Sequence, residues 1–532
     1  MRATKTHFVY ILTAILALSS DVDAARILGL FPHTGKSHHM VFEPLLRKLA
    51  ERGHHVNVVS FFPAKNPPAN YTDVSLEGIA ALGVETIDMT YFEDSNLILD
   101  RLGLGRLYTQ LMDFHPLAEM ALSVCRKLVD WQPLKEALTK EYDLLIVENF
   151  NSDCMLGLAH VYGLKTPIVS VLSSGLVPWS AERIGVSDNP AYVPTLSSNF
   201  AKRMTFFERL ENTFALATFK LWFRHAIQLQ EQAIIEKHFG KRIPDLQDLA
   251  KNTSLMLVNT FHSLYGVRPM VPGLVEVGGM HLDPTRKFIP NWLEKFLNES
   301  EHGVVLFSFG SLIKTSTIPK HKEEIIVKVL SKLKQRVIWK YENPDSEAVL
   351  DGNILKVKWI PQYELLQHKK VVAAIAHGGM SGTIEAVSAG KPMVIVPFFG
   401  DQPLNGASAE AAGIAKVVSY ADLSEKTLSE ALESVLSAET RLNARRFAKI
   451  WRDRPAEPMD TAVYWIERII RWGNQDSLHS PARNLSFIEY SLLDVAAAFF
   501  FIIIIVILAL KFAITIIHSY ITASFSKKEK LA

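Results

Sequence analysis

Trp359 to Asn405 reads WIPQYELLQHKKVVAAIAHGGMSGTIEAVSAGKPMVIVPFFGDQPLN. Two apolar runs, Val371 to Ala376 and Met393 to Pro397, bracket a helix-like segment from Ser381 to Ala389. That is the strand-helix-strand rhythm of a parallel sheet, in which ligands bind beyond the carboxyl ends of the strands. The chemically distinctive residues fall there: Trp359 and Gln362 after ILKVKW, His377 to Gly379 after VVAAIA, Asp401 and Gln402 after MVIVPFF. A flat aromatic, a glycine turn at a helix start and a carboxylate-amide pair at these separations suit a nucleotide-sugar. Each feature alone has a plainer reading: a core tryptophan, an ordinary His-Gly-Gly turn, a solvated glutamate at Glu385. Their joint spacing outweighs those readings.

The spacing resembles the signature of the UDP-glycosyltransferases, and the resemblance extends over most of the chain. It implies that Trp359 stacks on uracil, that Gln362 lies beside the nucleoside, and that Glu385, eight residues beyond His377, accepts the two ribose hydroxyls. A carboxylate has the acceptor capacity for two hydroxyl donors. His377, Gly378 and Gly379 open the helix that carries Ser381, so backbone N–H groups would meet the diphosphate without a metal. Asp401 and Gln402 resemble the pair that holds the donor sugar. Gly310 and Ser311, ending the strand GVVLFSF, form a second phosphate element, and Lys340 stands where relatives carry arginine. The resemblance implies a GT-B fold, α/β, with two Rossmann-like domains facing a cleft. It also implies no cofactor, since UDP-sugar is a co-substrate.

In the first half, RILGLFP reads as a buried strand, a turn at Gly35 to Ser37 leads into a helix from about His38 to Arg52, and HVNVVSFF is the next strand. Met40, Val41, Pro44, Leu45 and Leu49 are expected on the inner side of that helix. His38 sits at the hinge of this βαβ unit, where the family has the histidine that deprotonates the acceptor. Imidazole suits the task because it titrates near working pH. His39 and His33 are weaker candidates. A base histidine needs a carboxylate to orient it; Glu148, ending YDLLIVEN where relatives have aspartate, is the expected partner, and Asp153 the runner-up. Asp143 reads as a turn or cap residue. Phe61 to Tyr192 reads as loop-rich, and Thr205 to Phe239 as an apolar-aromatic helical region suited to packing, to an apolar acceptor or to a membrane surface.

A chain of 532 residues with 48% hydrophobic content holds at least two domain-sized cores. Net charge +2, with Lys and Arg spread along the chain, excludes a nucleic-acid partner. Residues 1–24 read as a cleaved secretory signal. The expected domains are 25–284 for the acceptor and 285–458 for UDP-sugar, with a return helix and juxtamembrane segment at 459–490. A transmembrane helix at 491–518 and a basic cytosolic tail at 519–532 complete the chain. Lys528 and Lys530 resemble an endoplasmic reticulum retrieval signal. Asn70, Asn252, Asn298 and Asn484 begin sequons. Cys125 and Cys154 are the only cysteines and admit one disulfide; Cys154 has no neighbour that would make it a nucleophile.

The expected protein is therefore a single-pass endoplasmic reticulum enzyme with a lumenal catalytic body. It transfers a sugar with inversion from UDP-glucose to a hydroxyl of a small lipophilic acceptor, in detoxification. UDP-glucuronate is the alternative donor, and a silent lipophile or UDP-sugar binder the alternative class. Membrane lipid, and homo- or hetero-oligomers of the kind the family forms, are the other expected partners.

Overall fold

The computed structural model describes residues 24–93, 105–200, 203–283, 285, 288–342 and 346–529. Residues 1–23 of the expected signal sequence and Lys530 lie outside the described residues. The chain divides into a body that ends at His479 and a C-terminal unit that begins at Ser480.

Among the described residues the body contains two seven-stranded sheets, the first parallel and the second mostly so. The first consists of β1 (Arg26–Phe31), β2 (His55–Ser60), β3 (Tyr71–Ser75), β4 (Leu144–Glu148), β5 (Ile168–Leu172), β6 (Thr253–Val258) and β7 (Leu274–Glu276), in the order β3-β2-β1-β4-β5-β6-β7. The order reverses between β1 and β4, which opens a crevice at their carboxyl ends. The second consists of β8 (Val304–Ser308), β9 (Arg336–Lys340), β10 (Ala348–Asp351), β11 (Ile354–Val357), β12 (Val371–Ala376), β13 (Met393–Ile395) and β14 (Ala415–Val417), in the order β10-β11-β9-β8-β12-β13-β14. Only the edge strand β10 runs antiparallel. Central strands such as β4 and β8 are buried along their whole length, as expected where helices cover both faces. This is a GT-B architecture.

Two apolar clusters sandwich each sheet. One face of the first sheet packs Ile27, Val56 and Ile146 against Phe42, Leu45 and Leu49 of the helix Lys36–Glu51. Met40 departs from expectation and points outward, 45% exposed, because it lies about 100° around the helix from Val41. Ala462, Val463, Ile466 and Ile469 of the helix Pro458–Trp472 join the same cluster, so this last helix of the body returns to the first sheet. Burying each of its larger side chains contributes about 1.5–3 kcal/mol. Arg52 donates to both Glu467 oxygens at 2.5 and 3.0 Å and ties the return helix to the end of the first.

The stretch from Phe61 to Tyr192 is more helical than expected. Gly105–Leu128 and Gln132–Leu138 are helices; Pro116 within the first masks the signal, because proline argues against a helix interior in sequence. Cys125 and Cys154 form a disulfide between Gly105–Leu128 and the helix Cys154–Val161. The aromatic region forms the helices Phe206–Trp222 and Leu229–Phe239, joined by a wider π-helical turn at Phe223–Gln228.

The two halves of the body also touch through short segments. Ile87–Asp88 pairs in parallel with Ile313–Lys314. Just before it, the Glu85 N–H donates to the Ser311 carbonyl at 2.8 Å. In the C-terminal unit, Leu493–Ser524 is long and apolar enough to cross a membrane.

Candidate active site

β1 and β4 are neighbours from Ile27–Leu144 to Leu30–Val147, so the segments leaving their carboxyl ends meet. The chain after β1 turns through extended Gly35 into the helix Lys36–Glu51, which lifts His38 over the end of β4. There Nδ1 of His38 lies 2.7 Å from Oε1 of Glu148. The Glu148 side chain is 3% exposed and the imidazole 18%, so one ring edge reaches solvent. Phe150 packs edge-on against both His38 and His33, whose rings lie 4.2 Å apart. Burial penalises charge on both members of the pair: it lowers His38 to about 3 and raises Glu148 to about 7.

Of the competing candidates, His33 stays beside His38 and the others go elsewhere. His39 is buried against Phe31 and Phe62, pushed down to about 4 by burial, and neither ring nitrogen has a hydrogen-bond partner among the described residues. His33 is held at about 3 by burial and then by His38 beside it. Asp153 is committed to a buried bidentate pair with Arg183, both contacts at 2.8 Å, and accepts a third bond from Gln228. Asp143 accepts from the Arg26 N–H at 2.7 Å at the strand start.

The second sheet gathers the other constellation. Trp359 follows β11 and is 48% exposed, an unusual state for an indole in a cleft. Lys340, at the end of β9, places Nζ 5.7 Å from the ring centroid, and Lys36, from the other half of the body, places its own at 5.0 Å. The Lys340 charge is compensated by Glu342 at 2.5 Å and by Glu85 at 3.6 Å. Gln362 donates to Glu385 at 2.6 Å, and both side chains are partly exposed.

β12 ends at Ala376, and the next three residues wrap a tight turn. A Cβ on Gly310 would stand 2.6 Å from the His377 ring, and one on Gly379 would stand 2.4 Å from it. Gly310 and Gly378 also hold φ of +80° and +85°, a region that favours glycine. The helix Met380–Ser388 starts here, with partly exposed Ser381 in its first turn. His377 is pushed to about 4 by burial and then by Lys340, and its Nδ1 has no hydrogen-bond partner among the described residues. The first-turn N–H groups other than that of Met380, which donates to Asp401, and a positive helix end make this turn suited to an anion. Ser311, in the facing turn, is fixed by Glu85.

Asp401 takes hydrogen bonds from the Met380 N–H and from Asn405, the latter at 3.0 Å, yet burial still raises it to about 6. Gln402 accepts from the Phe398 and Phe399 N–H groups at 2.8 and 3.3 Å, which fixes the turn that presents Asp401. Asn405 completes the bracket by donating to the Gly378 carbonyl at 2.7 Å.

Residues 28–530 match the family described as UDP-glucoronosyl and UDP-glucosyl transferase. The chain belongs to this family. UDP-glucosyltransferase 2 of Dactylopius coccus is 34% identical over 98% of both chains. UDP-glucuronosyltransferase 2B1 of Rattus norvegicus is 30% identical over 93% of this chain and 94% of the relative. The crystal structure of the glycotransferase of kitacinnamycin superposes with a TM-score of 0.52, over 84% of this chain and 99% of that one, at 16% identity, a likeness of fold. The protein is a UDP-sugar-dependent glycosyltransferase.

Within this UDP-glycosyltransferase, three contributors escaped sequence reasoning. Phe150, Lys36 and Glu85 reach the site through packing, and only Phe150 carried a signal, its position two residues beyond Glu148 at a strand end.

Proposed function

We propose that this glycosyltransferase moves glucose from UDP-glucose to a hydroxyl of a small lipophilic acceptor, with inversion and with His38 as base. The His38–Glu148 contact of 2.7 Å carries the reading. With Glu148 ionised, Nδ1–H donates to it and Nε2 keeps its lone pair for the acceptor proton. The acceptor oxygen then attacks the anomeric carbon, the bond to UDP breaks, and its electron pair goes to the departing phosphate oxygen. N–H groups of the His377 to Ser381 turn, with Gly310 and Ser311 opposite, stabilise that charge. Trp359 stacks on uracil, Gln362 and Glu385 hold the nucleoside, and Asp401 with Gln402 orients the sugar.

Glucose is favoured over glucuronate because the glucosyltransferase relative is the more similar of the two described, and because the buried Lys340 is already compensated. Glucuronate is the second reading. A lumenal body in the endoplasmic reticulum, anchored once, is supported by the apolar span and by the Cys125–Cys154 disulfide, which suits an oxidising compartment. Of the sequon asparagines, Asn252, Asn298 and Asn484 are exposed and Asn70 partly so.

The test is UDP release from microsomes carrying the wild-type chain or His38→Ala, with each donor offered beside a panel of phenols and sterols. Release with UDP-glucose that vanishes in the variant supports the reading. Equal release from both proteins removes His38 from the mechanism.

A further inference from the structure

We propose that Lys36 is a cross-cleft diphosphate residue: it recognises the charged part of the nucleotide from the half of the body that otherwise serves the acceptor. The inference rests on the proposed nucleotide site at Trp359 and adds a residue to it.

Lys36 is the first residue of the helix that carries His38. Two helical residues lie about 200° apart around the axis, so one short segment sends its imidazole inward to Glu148 and its lysine outward across the cleft. The ammonium stands 5.0 Å from the centroid of Trp359. A nucleoside stacked on that ring therefore begins its diphosphate within reach of the Lys36 side chain.

Charge compensation singles this lysine out. The other cation beside the ring, Lys340, is buried and answered by Glu342 and Glu85. His377 is held neutral by burial. Lys36 is partly exposed and makes no ion pair with a carboxylate among the described residues. Its ring contact is of the weak, exposed kind, which a phosphate readily outcompetes. Because the segment also carries His38, engagement of the diphosphate by Lys36 would couple donor binding to the position of the base.

The experiment compares UDP and uridine binding to the full-length protein in detergent, by calorimetry, for wild type, Lys36→Gln and Lys36→Arg. Lys36→Gln is expected to weaken UDP about tenfold and to leave uridine unchanged or slightly tighter, since the ring face is freed. Lys36→Arg is expected to stay within about twofold of wild type for UDP, because the cation is kept. The wild-type UDP affinity should also fall more steeply with salt than that of Lys36→Gln. Equal UDP affinity in wild type and Lys36→Gln overturns the proposal, as does a parallel loss for UDP and uridine, which marks a merely structural support of Trp359. Absence of UDP binding by the wild type overturns the nucleotide site itself together with this residue.

Discussion

Glu148 meets His38 at 2.7 Å although 110 residues separate them. The contact exists because β1 and β4 are adjacent at the point where the strand order reverses, so the helix after one overhangs the end of the other. A glutamate at this strand end reaches the imidazole across its additional methylene, and the side chain that arrives is almost wholly buried.

The burial of that carboxylate sets a pH dependence. Glu148 is raised to about 7. Below that pH its carboxyl is protonated and donates to Nδ1, which forces the proton of neutral His38 onto Nε2 and removes the base. Thus kcat/KM should rise with pH and level off above about 7. Glu148→Gln should lower the plateau by about 10²–10⁴ and flatten the acid limb. A pH–rate profile of both proteins checks this; an acid limb that persists in the variant would assign it to another group.

Trp359 and Glu385 should divide the nucleoside between base and ribose. Trp359→Ala is expected to weaken UDP by about 1–3 kcal/mol, the range for base–aromatic stacking. Glu385→Ala should weaken UDP while leaving 2′-deoxy-UDP less affected, since a ribose hydroxyl has lost its acceptor. Competition binding with the two nucleotides separates the roles.

Gly379 offers a clean steric test. Its φ of −60° is open to alanine, yet the added Cβ would lie 2.4 Å from the His377 ring. Gly379→Ala should therefore act through displacement of His377, with a stability loss of about 1–3 kcal/mol and UDP binding weakened by more than tenfold. Thermal unfolding and UDP titration of the same sample report both.

The disulfide should matter to stability and little to chemistry. Cys125 and Cys154 are both fully buried and close a loop with a sequence separation of 29. Replacing both by serine should cost about 3 kcal/mol, read as a lower unfolding midpoint, while kcat at 25 °C stays near wild type.

Much of the proposed donor side was legible because it is local. Trp359, Gln362, His377, Glu385 and Asp401 lie within one run of chain whose strands and helix have distinct periods, and glycines mark the turn between them. The proposed acceptor side was legible only by resemblance. Nothing in the order of residues separates His38 from His39, yet one faces Glu148 and the other the core between Phe31 and Phe62. A shift of one position turns a helical side chain by about 100°, and only the packed sheet beneath decides which of two neighbours meets the carboxylate.

Periodicity and punctuation in the chain were enough for the α/β class, the membrane-length helix and the short-range glycine turn, since each depends on residues a few positions apart. Tertiary structure alone paired Asp153 with Arg183, set Met40 outward and Val41 inward, and brought Lys36 onto Trp359 from 323 positions away. These outcomes depend on which strand ends become neighbours and on which charges are already compensated. Both follow from the packing of the whole body, which a local pattern does not encode.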